Sequence, residues 1–175
     1  MPDRQLNLLF SRNQIDAEVK RLAAAITADF SGRDLLVVAV LKGSFLFVAD
    51  LVRAIDLPLN VDFVRLASYG SDTRSSGIVE IRMEMELPIR GRDVVIIEDI
   101  VDSGYTLETL FHQLLQRQPQ SLKICTLIDK TARREVPIRP DYVGFTIDDG
   151  FIVGYGLDFD ERYRNLPDIY LMEEA

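Results

Sequence analysis

The residues from Val94 to Thr106 carry the densest chemistry in the chain: an apolar run, Val94-Val95-Ile96-Ile97, two acids, Glu98 and Asp99, and then Asp102-Ser103-Gly104-Tyr105-Thr106. The pattern predicts a buried strand ending in carboxylates, followed by a small-residue loop that opens a helix. Gly104 permits close backbone approach, and Ser103 and Thr106 offer hydroxyl donors. The first turn of a helix presents free N–H groups and a partial positive charge, so the segment reads as a cradle for a phosphate. Glu98 and Asp99 suit sugar hydroxyls; the alternative is that both are solvated loop acids.

A carboxylate inside an anion-binding loop weakens phosphate binding. Asp102 therefore either has a separate task, most simply that of a general base, or caps the free amides of the helix. Other phosphate motifs do not match. Lys42-Gly43-Ser44 inverts the Gly-Lys-Ser order of a nucleotide-triphosphate loop, with no glycine before it at the needed spacing. Gly154-Tyr155-Gly156 lacks the third glycine of a dinucleotide fingerprint and sits near the end of the chain. His112, the one histidine, stands beside Phe111 with no cysteine or second histidine close in sequence. A helix-surface residue is expected there rather than a metal ligand or base, which disfavours a serine-histidine-aspartate hydrolase.

The elements that must position these residues follow from periodicity. Ser11 and Gln14 form a capping-box pair, and Ile15, Val19, Leu22, Ala23 and Ile26 recur at helical spacing, predicting a helix over 11–29 with Gly32 as its stop. Leu35 to Leu41 is apolar without alternation, as in a strand covered on both faces. Phe45, Val48, Ala49, Val52 and Ile55 make the next helical stripe, Val61 to Ala67 a strand, and Gly91-Arg92-Asp93 a turn before Val94. A helix with the stripe Leu107, Leu110, Phe111, Leu114 and Leu115 then leads to a strand over Leu122–Ile128.

This alternation predicts an α/β fold with a mostly parallel central sheet flanked by helices. Residues 68–77, 78–86 and the tail from Tyr142 fall outside it. The tail is expected to form a small C-terminal hood near the sheet edge. With no internal repeat or low-complexity linker, residues 1–175 are expected to be a single domain.

The chain has 175 residues, 47% hydrophobic and 27% charged, which fits one globular domain. A domain of this size buries about 70% of its unfolded surface and needs no disulfide or structural metal. Cys125, the one cysteine, lies in the apolar run Leu122-Lys123-Ile124-Cys125-Thr126-Leu127-Ile128 and is expected to be a core thiol. The N-terminus lacks a basic start with a long apolar stretch, and no run approaches the ~18 apolar residues of a membrane span, so a cytoplasmic protein with no membrane partner is expected. Acidic residues outnumber basic ones, 28 to 20, for a net charge of −8. That balance repels nucleic acid but leaves room for a small phosphorylated ligand, because amides and a divalent cation act at short range.

At the acidic loop a specific likeness emerges. Val94 to Thr106 resembles the signature of the type I phosphoribosyltransferases, which use 5-phosphoribosyl 1-diphosphate: an apolar run, two acids, two residues, then Asp-Ser/Thr-Gly-x-Thr. Leu41-Lys42-Gly43-Ser44 is similar to that family's diphosphate loop, and Ser68-Tyr69 to the start of its mobile loop. Phe151-Ile152-Val153-Gly154-Tyr155-Gly156-Leu157-Asp158 resembles the base-binding strand of its hypoxanthine-using branch. The likeness runs from about residue 10 to 172.

The resemblance implies that Glu98 and Asp99 hold the ribose hydroxyls and, with Asp158, Mg²⁺. It implies that Asp102, Ser103, Gly104, Tyr105 and Thr106 surround the 5′-phosphate, with Asp102 also facing purine N7 as the catalytic base. Lys130, just beyond the strand ending at Ile128, would donate to purine O6, Phe151 would stack on the ring, and the Ile152 backbone would meet its Watson-Crick edge. Lys42, Gly43 and Arg164 would face the diphosphate, with the Leu41–Lys42 peptide cis. Ser68 and Tyr69 would open a flexible active-site loop over 68–77, and residues 142–175 would form the base-binding tail and hood.

The implied reaction is purine salvage: phosphoribosyl transfer to hypoxanthine and guanine by a homodimer or homotetramer. Taken singly, Phe151 could be core, Lys130 a surface cation and Arg164 an ion-pair partner; five segments mimicking one ligand site together is another matter. Two other readings compete, a phosphoribosyltransferase-like RNA-binding regulator that senses nucleotides and a receiver-type phosphoacceptor domain. The intact Asp102 and the net charge of −8 oppose the first. The Ser103–Thr106 loop and the aromatic tail are unexplained by the second. In Asp148-Asp149-Gly150-Phe151 the chain departs from the many members with Lys before the stacking Phe, so the resemblance does not rank hypoxanthine, guanine and xanthine.

Overall fold

Ser11 and Gln14 form the expected capping box: the Ser11 N–H donates to Gln14 Oε1 at 2.9 Å, and the Gln14 N–H donates back to Ser11 Oγ at 3.4 Å. That cap opens α1 (Arg12–Asp29), which buries Ile15, Val19, Leu22, Ala23 and Ile26, the stripe its spacing predicts. The helix closes at Phe30, two residues before Gly32, which takes a left-handed φ of 75° in the turn beyond. The structure, a computed structural model, describes residues 5–68 and 79–173. The active-site loop expected over 68–77 lies outside the described residues except for Ser68, and Tyr69 lies wholly outside them.

Beyond β1 (Leu6–Phe10), the chain runs through β2 (Leu35–Leu41), α2 (Phe45–Ala54), β3 (Leu59–Ser68), β4 (Val79–Met83), β5 (Asp93–Val101), α3 (Tyr105–Gln116), β6 (Ser121–Lys130), β7 (Tyr142–Ile147), β8 (Phe151–Val153) and β9 (Ile169–Met172). Six strands form the main sheet in the order β4-β3-β2-β5-β6-β7. Every neighbouring pair is parallel except β3 with β4. The α/β reading with a mostly parallel sheet is therefore what the chain adopts.

The lack of alternation in β2 has its cause in this layering. Leu35, Val37 and Ala39 face a core shared with α1 and α2, while Leu36, Val38 and Val40 face the core under α3. Cys125 is buried in the first of these cores, where burial pushes its thiol pKa up. The α2 crossover carries the chain from β2 to β3, and the α3 crossover carries it from β5 outward to β6 on the other face. Adjacent β2 and β5 thus diverge at their carboxyl ends, the place where open α/β sheets bind ligands.

Three expectations need correction. The buried stripe of α2 is Phe47, Val48 and Leu51, while Phe45 and Ala49 point outward, because α2 is apolar on nearly every side and its sequence does not fix its phase. β6 continues past Ile128, so Lys130 ends the strand rather than following it. Tyr142 to Ile147 is not part of an appendage but the sixth strand of the main sheet, parallel to β6. The hood is a separate antiparallel sheet of order β1-β9-β8, built from both ends of the chain. Phe10 of β1 stacks on Phe145 of β7 with centroids 3.9 Å apart, fixing the hood to the edge of the main sheet.

Candidate active site

β5 stops at Val101, and Asp102 and Ser103 lead to Gly104, the N-cap of α3, at φ 91°. Two constraints demand glycine there. A left-handed φ disfavours side chains, and a Cβ would meet Ile138, Val136 and Arg134 at 2.7, 2.8 and 3.0 Å. Because Gly104 carries no side chain, it cannot cap α3, and Asp102 does not do so; the capping alternative for Asp102 is thereby removed. The first amides of α3 are left without a side-chain cap, with Tyr105 and Thr106 half-buried beside them. The Tyr105 hydroxyl donates to Glu135, whose charge raises the phenol pKa.

A residue absent from the sequence reading holds this loop in shape. Arg134 donates from Nε to Asp102 O at 3.1 Å and from Nη2 to Val101 O at 3.4 Å, and it ion-pairs with buried Asp129. The next residue donates from Glu135 N to Ser103 O at 3.0 Å. Arg134 thus fastens the turn after β6 to the loop after β5 through charge-assisted bonds. The doublet Arg133-Arg134 shortly after Lys130 was the available signal; its partners include two backbone carbonyls distant in sequence, Val101 O and Asp102 O.

The Asp102 side chain faces two cations. Its Oδ2 lies 3.6 Å from Lys130 Nζ, and its Oδ1 lies 2.8 Å from Arg133 Nε. Oδ1 is buried yet accepts no aligned hydrogen bond among the described residues. Lys130, only 6% exposed, is not the surface cation of the bland alternative. Arg133 also reaches Asp149 at 3.3 Å, which connects Asp102 to the entrance of β8. Arg133 too was missing from the sequence reading.

Glu98 and Asp99 are buried at 9% and 8% exposure within β5, so they are not solvated loop acids. Burial, and then the neighbouring Asp99 charge, hold Glu98 well above the usual carboxylate range. Burial raises Asp99 as well, against hydrogen bonds from Glu98 and backbone amides and the attraction of Arg164. Both carboxyls of the pair therefore hold their protons more readily than free carboxyls do, Glu98 the more so. Asp99 rests directly on Gly43: a Cβ at residue 43 would lie 1.8 Å from Asp99 Oδ2. On the other side, a Cβ on Gly156 would lie 2.2 Å from Gly43 O. The Lys42-Gly43 loop is thus clamped between β5 and the segment after β8, and its Leu41–Lys42 peptide is cis, as the resemblance implied.

Lys42 Nζ meets both Glu161 oxygens at 3.0 Å. Arg164 lies 2.7 Å from Asp158 Oδ1 and donates to Gly156 O at 2.7 Å. The structure therefore brings Lys42, Gly43, Asp99, Asp158 and Arg164 to one side, and Asp102, Lys130 and the α3 N-terminus to the other. Phe151 is 44% exposed and edge-on to Phe159, so it is not core. Ile152 lies on β8, which pairs with β9 through Leu171 and has no strand on its other edge among the described residues. Ser68 ends β3 opposite Val79.

The buried acid pair fits a divalent cation, since burial holds both carboxyls above their usual range and a cation would favour their charged forms. Asp158 is less free, being paired with Arg164 and accepting from Glu161 N at 2.9 Å. Among the described residues no three metal-ligand side chains converge.

Comparison with known proteins agrees with this geometry. The family described as Phosphoribosyl transferase domain matches residues 10–160. The hypoxanthine-guanine phosphoribosyltransferase of Bacillus subtilis is 45% identical over 168 residues, covering 96% of this chain and 93% of that protein. Its counterpart from Aquifex aeolicus is 41% identical over 172 residues, covering 98% and 97%. The solved structure of a hypoxanthine phosphoribosyltransferase from Staphylococcus aureus superposes with a TM-score of 0.93 at 42% identity, covering 95% of this chain and 91% of that one. With a family match over residues 10–160 and 45% identity across 96% of its length, the chain belongs to the phosphoribosyltransferase family.

Proposed function

We propose that this chain is a purine salvage enzyme that transfers the 5-phosphoribosyl group from phosphoribosyl diphosphate to N9 of hypoxanthine and of guanine. The products are the nucleoside monophosphate and diphosphate. The observation that carries the reading is Asp102, held 3.6 Å from the buried Lys130 at the mouth of the α3 cradle. A base and an O6 donor thereby stand side by side above a phosphate site.

In this reading the α3 amides with Ser103, Tyr105 and Thr106 bind the 5′-phosphate. Glu98 and Asp99 take the ribose hydroxyls. N9 forms its bond to ribose C1 as the bond from C1 to diphosphate oxygen breaks, and Asp102 accepts the N7 proton that the purine sheds. Lys130 donates to O6 and holds the ring so that N7 faces Asp102. Phe151 supplies a stacking face, and the free edge of β8 at Ile152 meets the polar edge of the base. Lys42, Gly43 and Arg164 receive the diphosphate charge as it develops. Glu98, Asp99 and Asp158 would hold Mg²⁺, which when bound would supply electrophilic stabilisation of the leaving diphosphate.

Two further parts of the proposal stand apart from the site: assembly as a homodimer or homotetramer, which the resemblance implies, and a cytoplasmic location, which the sequence leads us to expect. Among the described residues no helix is long and apolar enough to cross a membrane. No structural observation favours the RNA-binding alternative. An ultraviolet assay of each purine with phosphoribosyl diphosphate tests the function. Turnover of hypoxanthine that chelation abolishes is expected; turnover of no 6-oxopurine would overturn it.

A further inference from the structure

The segment between β8 and β9 places Asp158, Glu161 and Arg164 on one turn beside the Lys42-Gly43 loop. Glu161 is the member with no assigned task. Its two oxygens each lie 3.0 Å from Lys42 Nζ, and Oε2 lies 3.3 Å from Arg164 Nη2. One carboxylate therefore bridges the two cations assigned above to the diphosphate. Arg164 has its Nη1 on Gly156 O and its Nη2 on Asp158, while its buried Nε has no hydrogen-bond partner among the described residues. That nitrogen is a donor in want of an acceptor.

Glu161 reaches these cations from solvent. Its side chain is 64% exposed, its φ is 60°, and its own N–H is fixed to Asp158 Oδ2. Both of its carboxylate oxygens are turned toward the two cations. An anion with two oxygens spanning a lysine and an arginine presents the same pattern as a phosphoryl group. Exposed ion pairs are weak and salt-screened, so exchange for a multiply charged ligand is easy.

We infer that Glu161 is the resident counter-ion of the diphosphate subsite: it neutralises Lys42 and Arg164 in the empty protein and is displaced by the diphosphate oxygens. It rests on the placement of Lys42 and Arg164 in the proposed function. The consequence is that Glu161 weakens diphosphate binding while easing product departure, because the returning carboxylate competes for the same two cations. A residue that merely braced Lys42 and Arg164 would have the opposite effect, since its removal would loosen the ligand.

Calorimetric titration of the intact protein and of Glu161→Gln with inorganic diphosphate and Mg²⁺ separates these roles. Glu161→Gln should bind diphosphate about threefold to tenfold more tightly at low ionic strength, with the gap narrowing in high salt. The KM for phosphoribosyl diphosphate should fall while kcat does not rise. Equal or weaker binding by Glu161→Gln, in a parent that converts hypoxanthine, overturns the counter-ion role and leaves the enzyme assignment standing. A parent that neither binds diphosphate nor turns over a purine overturns both.

Discussion

The Asp99 carboxylate occupies the space that a side chain on Gly43 would need, with Oδ2 1.8 Å from the Cβ position. The end of β5 and the loop after β2 are thereby interlocked, each defining where the other can lie. Gly43→Ala should push Asp99 off its position or unseat the loop, and Gly156, packed on Gly43 O, blocks retreat the other way. A misplacement on the order of 1 Å can cost about a hundredfold in rate, so kcat/KM should fall by roughly that factor. Overpacking costs about 1–3 kcal/mol, and the melting temperature should drop with it. Steady-state kinetics and a thermal melt check both; full activity in the variant would contradict the interlock.

Asp102→Asn keeps the shape of the loop, whose backbone Arg134 holds, and removes the proton acceptor. Loss of a positioned base lowers kcat by about a hundredfold to ten-thousandfold. Binding of phosphoribosyl diphosphate should stay the same or tighten, because a carboxylate leaves the neighbourhood of the 5′-phosphate. Single-turnover rates beside equilibrium binding measure the two effects separately. An unchanged kcat would reduce Asp102 to an ion-pair partner of Lys130 and Arg133.

The buried acid pair makes stability depend on pH. Glu98 is raised from its ordinary value of 4.5, chiefly by burial, so the folded protein retains a proton that the unfolded chain releases. The stability tied to that proton is fully present below the ordinary value and is lost as pH rises toward the folded-state value. Glu98→Gln cannot ionise and still offers an N–H to Asp99. Its melting temperature should exceed that of the parent at about pH 8 and converge with it near about pH 4. Parallel curves across the range would show that Glu98 is not the group retaining the proton.

Elements buried on both sides were the legible ones. β2 reads as a sheet centre because neither face meets water, and α1 reads correctly because its cap and stripe agree. α2 offered little contrast between its faces, so its phase was lost. β7 is half-buried along most of its length and lacks the uniform apolar run that revealed the inner strands. Within the site, the acids were visible because a motif fixed their spacing, and Lys130 because the family resemblance implied its place. Arg133, Arg134 and Glu161 were not, because they act on partners brought close only by the fold, such as Val101 O for Arg134 and Lys42 for Glu161. Gly150 stood out as a departure from the family, and the structure supplies a reason: its φ is 122°, and a Cβ would lie 2.4 Å from Leu171 Cδ1.

Lys130→Ala tests the base pocket. The lysine is 6% exposed and shares Asp102 with Arg133, so its removal deletes the donor placed for O6 while leaving Asp102 one cation. A buried acceptor that loses a charged donor costs roughly 1.5–3 kcal/mol, which is about a tenfold to 150-fold weakening of hypoxanthine and guanine. Adenine presents an amino group at position 6 and cannot accept from an ammonium, so it should bind poorly to the parent and gain nothing from the intact lysine. The discriminating quantity is therefore the ratio of hypoxanthine to adenine affinity, measured by competition in the presence of phosphoribosyl diphosphate. That ratio should collapse toward unity in the variant. If hypoxanthine binds the variant as tightly as the parent, Lys130 serves only to neutralise Asp102, and the O6 donor must be sought elsewhere on the pocket wall.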